Sequence, residues 1–233
     1  MLHSLNYNDK YKIIHIFTEE FGQVSYLVAK SRGRKSRVPS SLFHPFSVLD
    51  LDVEHLPLRE IQRIKEARTE IVLTNIPFNS VKISVTIFLS EFMYRVIKDT
   101  QANRLLFVFV YQSIEVFDLL EAGIANFHLV FMIRLSQFLG FYPNEEGYED
   151  GMYFDMNSGT FKIFKPSHPY FLSPDDSKTF RLLLRMNYEN MSAYSFSRHD
   201  RVNIIQRVLE YYKVHFSSLM ELKSVSVLQA LFD

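Results

Sequence analysis

After the break at Pro77 the hydrophobic period changes from two to 3.6, and that change constrains the fold more than any other feature. Before it, apolar residues alternate; after it, they recur at helical spacing. Tyr11 to Phe17, Val24 to Ala29 and Phe46 to Val53 read as strands. In the last of these Leu49, Leu51 and Val53 share one face, and Asp50 and Asp52 share the other. Glu19-Glu20-Phe21-Gly22 joins the first two as a turn whose glycine supplies a positive φ. Ile61 to Leu73 has no clear period, because Arg63, Lys65 and Arg68 are interleaved with Glu66 and Glu70. Several short strands within residues 1–77 suit a small closed barrel such as an OB-fold better than a sandwich.

From Asn79, residues Val81, Val85, Phe88, Leu89, Phe92 and Val96 fall on one helical stripe, with Asn79 or Ser80 as the N-cap. Arg104 to Glu121 and Ile124 to Leu139 follow as helices, separated by Gly123 and ended by Gly140 and Pro143. An acidic loop (Glu145, Glu146, Glu149, Asp150) leads into a β-hairpin, Met152 to Asp155 and Thr160 to Phe164, around Asn157-Ser158-Gly159. Ser173-Pro174-Asp175-Asp176 starts another helix. Ser197 or Asp200 caps a longer one over Val202 to Phe216, and Leu222 to Phe232 closes the chain. The expected fold is α+β. Residues 1–77 form an OB-fold nucleic-acid-binding barrel, and residues 78–233 an all-helical domain with a small hairpin insertion at about 144–166.

Charge adds a function to this outline. Lys30-Ser31-Arg32-Gly33-Arg34-Lys35-Ser36-Arg37 holds Lys30, Arg32, Arg34, Lys35 and Arg37 with no acid among them, between two strands. Closely spaced cations on a loop displace the counterions condensed on nucleic acid, so the loop suits phosphate contacts. Lys10 and Lys12 are weaker candidates on the neighbouring hairpin. Tyr7, Tyr11 and Tyr26 are candidate platforms for stacked bases. Basic and acidic residues balance at 26 each, so nucleic-acid affinity has to come from such local patches.

Other chemistries lack their residues. Cysteine is absent, which removes disulfides, thiolate catalysis and the common zinc knuckles. The seven glycines form neither GxGxxG nor a P-loop, and there is no HExxH or GxSxG. The eight histidines are scattered without metal-ligand spacing. No apolar run approaches the ~20 residues of a membrane-spanning helix, and no signal peptide opens the chain. Binding without turnover is the expectation: no catalytic residue, no metal and no cofactor.

Several ordered stretches carry a family resemblance. They are Leu2 to Asp9, Ile14 to Gly22, Ala29 to Arg37, Pro45 to Leu49, Phe88 to Arg95, Phe138 to Pro143, Leu209 to His215 and Leu222 to Leu228. Together they resemble the bacterial recombination mediator family RecO, over nearly the whole chain. The resemblance implies a cytoplasmic, nucleoid-associated, non-enzymatic protein of the RecF repair pathway. Such a protein binds single- and double-stranded DNA, anneals complementary strands and partners RecR. It also contacts the acidic C-terminal tail of single-strand-binding protein, and so helps load RecA. Arg134, Arg207 and Lys213 are candidate cations for that tail. Many family members hold a four-cysteine zinc site where this chain has residues 144–166. Without cysteine, packing of Tyr153, Phe154, Phe161 and Phe164 is expected to hold the hairpin. The family also carries residues before Leu2, so the first barrel strand is expected to be short. The rival reading is a protein-interaction scaffold whose barrel binds no DNA; an enzyme ranks below both.

Overall fold

A computed structural model of the chain describes residues 1–30, 36–97, 101–216, 219 and 222–230. The first five strands, β1 (His3–Asn6), β2 (Tyr11–Thr18), β3 (Gly22–Ala29), β4 (Leu49–Glu54) and β5 (Ile61–Thr69), form one sheet in the order β1-β2-β3-β5-β4. All neighbours are antiparallel except β3 and β5, which run parallel. Strand parity builds the core. Val24, Tyr26 and Val28 of β3 point inward with Ile14 and Ile16 of β2, Phe43 and Ala67, and the half-buried Leu49, Leu51, Val53 and Ile64 pack against them. Asp50, Asp52 and Glu54 stand on the outer, exposed side of β4. A fully buried aliphatic or aromatic side chain contributes about 1.5–3 kcal/mol, so this face fixes the register.

The closed barrel expected from the sequence is not formed. The sheet is open, and among the described strands β1 and β4 are its edges. β1 is only four residues long and pairs with β2. Two hydrogen bonds reach across instead: the Phe46 N–H donates to the Met1 carbonyl at 3.0 Å, and the Met1 amino group donates to the Ser47 carbonyl at 2.8 Å. Phe46 adopts φ +61° with its ring buried, an uncommon conformation for a bulky residue, held by the core around its side chain.

Two helices share a compact unit with this sheet: α1 (Ser80–Val96), N-capped by Asn79, and α2 (Arg104–Leu119). That unit spans Met1–Leu119 and regains the chain at Leu222–Leu228. Asp118 ties its connections together. Its carboxylate accepts the backbone N–H groups of Thr74, Asn75 and Ile76, and Lys82 Nζ donates to its carbonyl at 2.7 Å. Glu91 of α1 likewise accepts from the Lys223 and Ser224 N–H groups, where the last helix begins. The change of period at residue 77 therefore separates sheet from helices, while compactness divides the chain at residue 119.

The second unit, Leu120–Glu221, holds α3 (Phe127–Phe138), β6 (Tyr153–Asp155), β7 (Thr160–Lys162), β8 (Phe171–Leu172), α4 (Pro174–Arg185) and α5 (Arg198–His215). α6 (Ser224–Ala230) follows it in the chain. α3 is buried continuously from Phe127 to Ile133, and Tyr212 of α5 donates to the Met132 carbonyl at 2.6 Å. β6 is central in a small sheet of order β7-β6-β8. Its Phe154 is fully buried, with ring centroids 4.7 Å from Phe180, 5.0 Å from Phe161 and 5.4 Å from Tyr211. Tyr153 packs on Phe171 at 5.8 Å. Phe164 does not join this packing, against the expectation from its hydrophobicity. It lies beyond the end of β7 and is 84% exposed.

Candidate nucleic-acid interface

One end of the five-stranded sheet gathers the described cations of the basic stretch and its neighbouring hairpin. The turn between β1 and β2 is organised by Asn8, whose Oδ1 accepts the N–H groups of Lys10 and Tyr11, both at 2.9 Å. Such an Asx turn holds Lys10 at the tip. The Lys30 N–H donates to the Lys10 carbonyl at 2.8 Å, which sets the end of β3 beside that tip. Arg37 returns alongside β5, where its carbonyl accepts the Ala67 N–H at 3.0 Å. Lys12 pairs with Val28 across β2 and β3, on the core side of the sheet at its mouth. Lys10 and Arg37 are exposed, and Lys12 and Lys30 are half-buried. None of the four is ion-paired with another described residue. Arg32, Arg34 and Lys35 lie outside the described residues.

The outer face of β4 and β5 is different. There Asp50 stands opposite Arg68, and Glu54 opposite Arg63. Arg68 also forms an ion pair with Glu66 at 2.6 Å. Opposite charges across a strand pair cancel one another's field, so this face holds no surplus of cations. The outer side of β1 and β2 is covered by α1: the Tyr94 ring stacks on His3 and lies tilted against His15, with centroids 4.7 Å away in each case. Burial lowers the His3 pKa, the nearby Glu91 opposing and Arg95 assisting. Among the described residues of the sheet, the strand end that carries Lys10, Lys12, Lys30 and Arg37 holds cations without an ion pair, with Asp9 the acid in its turn.

Aromatic side chains divide between that end and the core. Tyr7 and Tyr11 are 59% and 38% exposed, at either side of the Asn8 turn. Tyr26 shares the parity of Val24 and Val28 and is buried, and burial pushes its phenol up to about 12. A ring enclosed on both faces cannot stack a base, so Tyr26 leaves the set of platforms.

Two of the three helical-domain cations come together and the third does not. Arg207 and Lys213 of α5 line one cleft of about 670 Å³ with Met156, Tyr170, Phe171 and Val214. Arg207 is ion-paired there with Asp176 at 3.3 Å and Glu210 at 2.9 Å, whereas Lys213 is exposed. Arg134, half-buried on α3, is not among the residues of that cleft. Among the described residues no three His, Asp or Glu converge as metal ligands. No described helix is long and apolar enough to cross a membrane. Charge and hydrophobicity do not single out Asn8 as an organising residue, although Tyr7-Asn8-Asp9-Lys10 carries an Asx-turn signature that would have found it.

An OB-type sheet followed by a helical region with a small inserted sheet defines the class of this chain. Family models specify it further: recombination protein O N-terminal matches residues 1–73, and recombination protein O C-terminal matches residues 78–224. The chain is 50% identical over 232 residues to the DNA repair protein RecO of Azobacteroides pseudotrichonymphae, covering all of this chain and 96% of that protein. It is 40% identical to the DNA repair protein RecO of Phocaeicola vulgatus over 233 residues and 33% identical to that of Porphyromonas gingivalis over 237, in each case covering 97% of the relative. The chain belongs to the recombination protein O family, whose role is DNA repair and recombination.

Proposed function

We propose that this chain is a recombination mediator that binds and anneals single-stranded DNA. With RecR it helps load RecA onto strands coated with single-strand-binding protein, in the bacterial cytoplasm and without catalysis. The observation that carries this reading is the strand end where Lys10, Lys12, Lys30 and Arg37 meet without an ion pair to any described residue, beside the exposed Tyr7 and Tyr11. Cations of that kind suit phosphates of either single or double strands, and exposed tyrosines add stacking for unpaired bases. On this reading residues 1–77 contact DNA, with Arg32, Arg34 and Lys35 extending the phosphate contacts, and residues 78–233 contact partners. The cleft that sets Lys213 among Met156, Tyr170, Phe171 and Val214 supplies the apolar walls and cation that an acidic, apolar-ended tail needs. Arg207 serves mainly to brace α5 against α4 through Asp176.

The test is fluorescence anisotropy of a labelled single strand across a salt series. Replacing Lys30, Arg32, Arg34, Lys35 and Arg37 with alanine is expected to flatten the log–log salt slope by about 3.5, at about 0.7 per single-strand phosphate contact. An unchanged slope removes this end of the sheet from the DNA site. Absence of binding by the wild type even at low salt favours the protein-only scaffold.

A further inference from the structure

The hairpin of the second unit leaves an aromatic and two cations on its surface that nothing above uses. Thr160-Phe161-Lys162-Ile163-Phe164-Lys165 sets two lysines among three apolar residues and contains no acid. Phe161 turns inward onto Phe154 and Tyr148, at 5.0 and 4.8 Å. Ile163 is 66% and Phe164 84% exposed, and Lys162 and Lys165 are exposed beside them. Phe164, Phe161 and His168 line an open cleft of about 620 Å³ with Lys162 and Pro166. The Tyr170 ring, half exposed, continues the surface 6.1 Å from His168.

We propose that this hairpin is a second contact for single-stranded DNA, with a base stacked on Phe164 and the flanking phosphates held by Lys162 and Lys165. The choice of occupant follows from charge. The Phe164 ring is bracketed by two lysines, which attract a polyanion. Asp155 is the one acid that lines the cleft, and Glu146 and Glu149 of the preceding loop are exposed. Asp155 accepts the Asn157 N–H at 2.9 Å and pairs with His168 at 3.3 Å. Asp150 pairs with Lys178, and Glu145 with Arg181 and Arg185. Lys165 rests 5.2 Å from the centroid of Phe171, which holds its ammonium on the side of the hairpin instead of free in solvent. A stacked base presents a π-face to a ring whatever its identity, so the contact is sequence-tolerant and selects unpaired strands. The inference rests on the reading that the chain binds single-stranded DNA, and adds a site in a different unit from the sheet.

The chain contains no tryptophan, which makes the test specific. In Phe164→Trp the only indole sits on the hairpin; in the control Phe78→Trp it sits at another exposed phenylalanine, 86% exposed, in the first unit. Titration with an oligothymidylate is expected to quench Phe164→Trp in parallel with the anisotropy of the labelled strand, and to leave Phe78→Trp unquenched. Phe164→Ala is expected to weaken single-strand binding about tenfold while duplex binding is unchanged. Lys162→Ala with Lys165→Ala is expected to flatten the salt slope by about 1.4. All three positions are exposed, so the variants keep the wild-type melting temperature. Strand binding by anisotropy with no quench of Phe164→Trp overturns the hairpin site and leaves the sheet site standing; absence of all binding overturns both. A fluorescence change in Phe164→Trp produced by a protein partner and not by the oligothymidylate assigns the patch to protein and equally overturns the proposal.

Discussion

Replacing Asp118 with asparagine tests how the first unit is held together. One carboxylate oxygen accepts the Asn75 and Ile76 N–H groups at 2.9 and 2.7 Å, and the other accepts the Thr74 N–H at 2.8 Å and its hydroxyl at 3.1 Å. An amide replaces one of these acceptors with a donor. Its better orientation turns the NH2 toward Thr74, whose hydroxyl can rotate to accept, and strands the Thr74 N–H alone. The loss is one charge-assisted hydrogen bond, at about 1.5–3 kcal/mol, plus weakening of the two that remain, for about 2–4 kcal/mol in all. Near the size of this chain each kcal/mol moves the melting temperature by about 2–4 °C, so D118N is expected to melt roughly 5–15 °C lower by circular dichroism. Burial pushes the Asp118 carboxyl up, and the hydrogen bonds from Ile76, Thr74 and Asn75 more than offset it, so it sits below its ordinary value. A depressed carboxylate contributes stability that is complete above the unfolded pKa of about 3.9 and is lost as pH falls through the folded one. The gap between wild type and D118N should therefore be constant near neutrality and close in acid. Variants D118N and D118A that both melt within about 1 °C of wild type at neutral pH would refute the reasoning.

Three further perturbations follow from the same structure. Gly123 has φ +74°, and a Cβ there would meet Met191 and the Ser192 backbone at 3.1 Å, so Gly123→Ala should destabilise the second unit by at least about 1–2 kcal/mol, read as a lower denaturant midpoint. Phe154→Ala removes the ring at the centre of the hairpin's packing and should cost about 3–5 kcal/mol, with proteolysis at residues 144–166 as a second readout. Glu91→Gln weakens the acceptor of the Lys223 and Ser224 N–H groups and should speed amide exchange across Ser224–Ala230. Burial raises the Glu91 carboxyl, hydrogen bonds from Ser224 and Lys223 outweigh it, and the net shift is downward. The wild type should accordingly lose the same protection as pH drops below about 4.

Where strands carry one clean face, the sequence and the structure agree. Val24, Tyr26 and Val28 alternate, as do Leu49, Leu51 and Val53, and both sets face the core. β5 is illegible in the sequence for two physical reasons: charged residues occupy its outer positions, and the pairing jumps from Asp52–Glu66 to Val53–Ile64, so Lys65 interrupts the alternation. β1 is four residues with one hydrophobe, and β8 is two residues between Pro169 and Pro174, below the length at which any period shows. Groupings made by single long-range contacts leave no local trace; Asp118 reaches residues 74–76 across more than 40 positions. The same logic separates the two kinds of aromatic error. Tyr26 is legible by parity and misleads by chemistry, because a tyrosine beside a basic loop suggests stacking. Phe164 misleads by hydrophobicity, because a phenylalanine near a hairpin suggests core.

Both errors turn on which side of a strand a residue occupies, and parity decides that more firmly than residue type. It puts Tyr26 inward with its neighbours and Phe161 inward against Phe154. Beyond Lys162 the strand ends, no partner backbone enforces a side, and Phe164 is free to face solvent between two lysines. Cations show the same division. On β4 and β5 ladder partners bring Arg68 and Arg63 opposite acids, while Asp52 stands opposite Glu66, so this face carries no surplus of cations. At the strand ends the ladder stops, and Lys10 and Lys30 meet through backbone alone, with Arg37 tied by its carbonyl to β5. The described cations without an ion pair on this sheet thus lie where hydrogen-bonded pairing runs out.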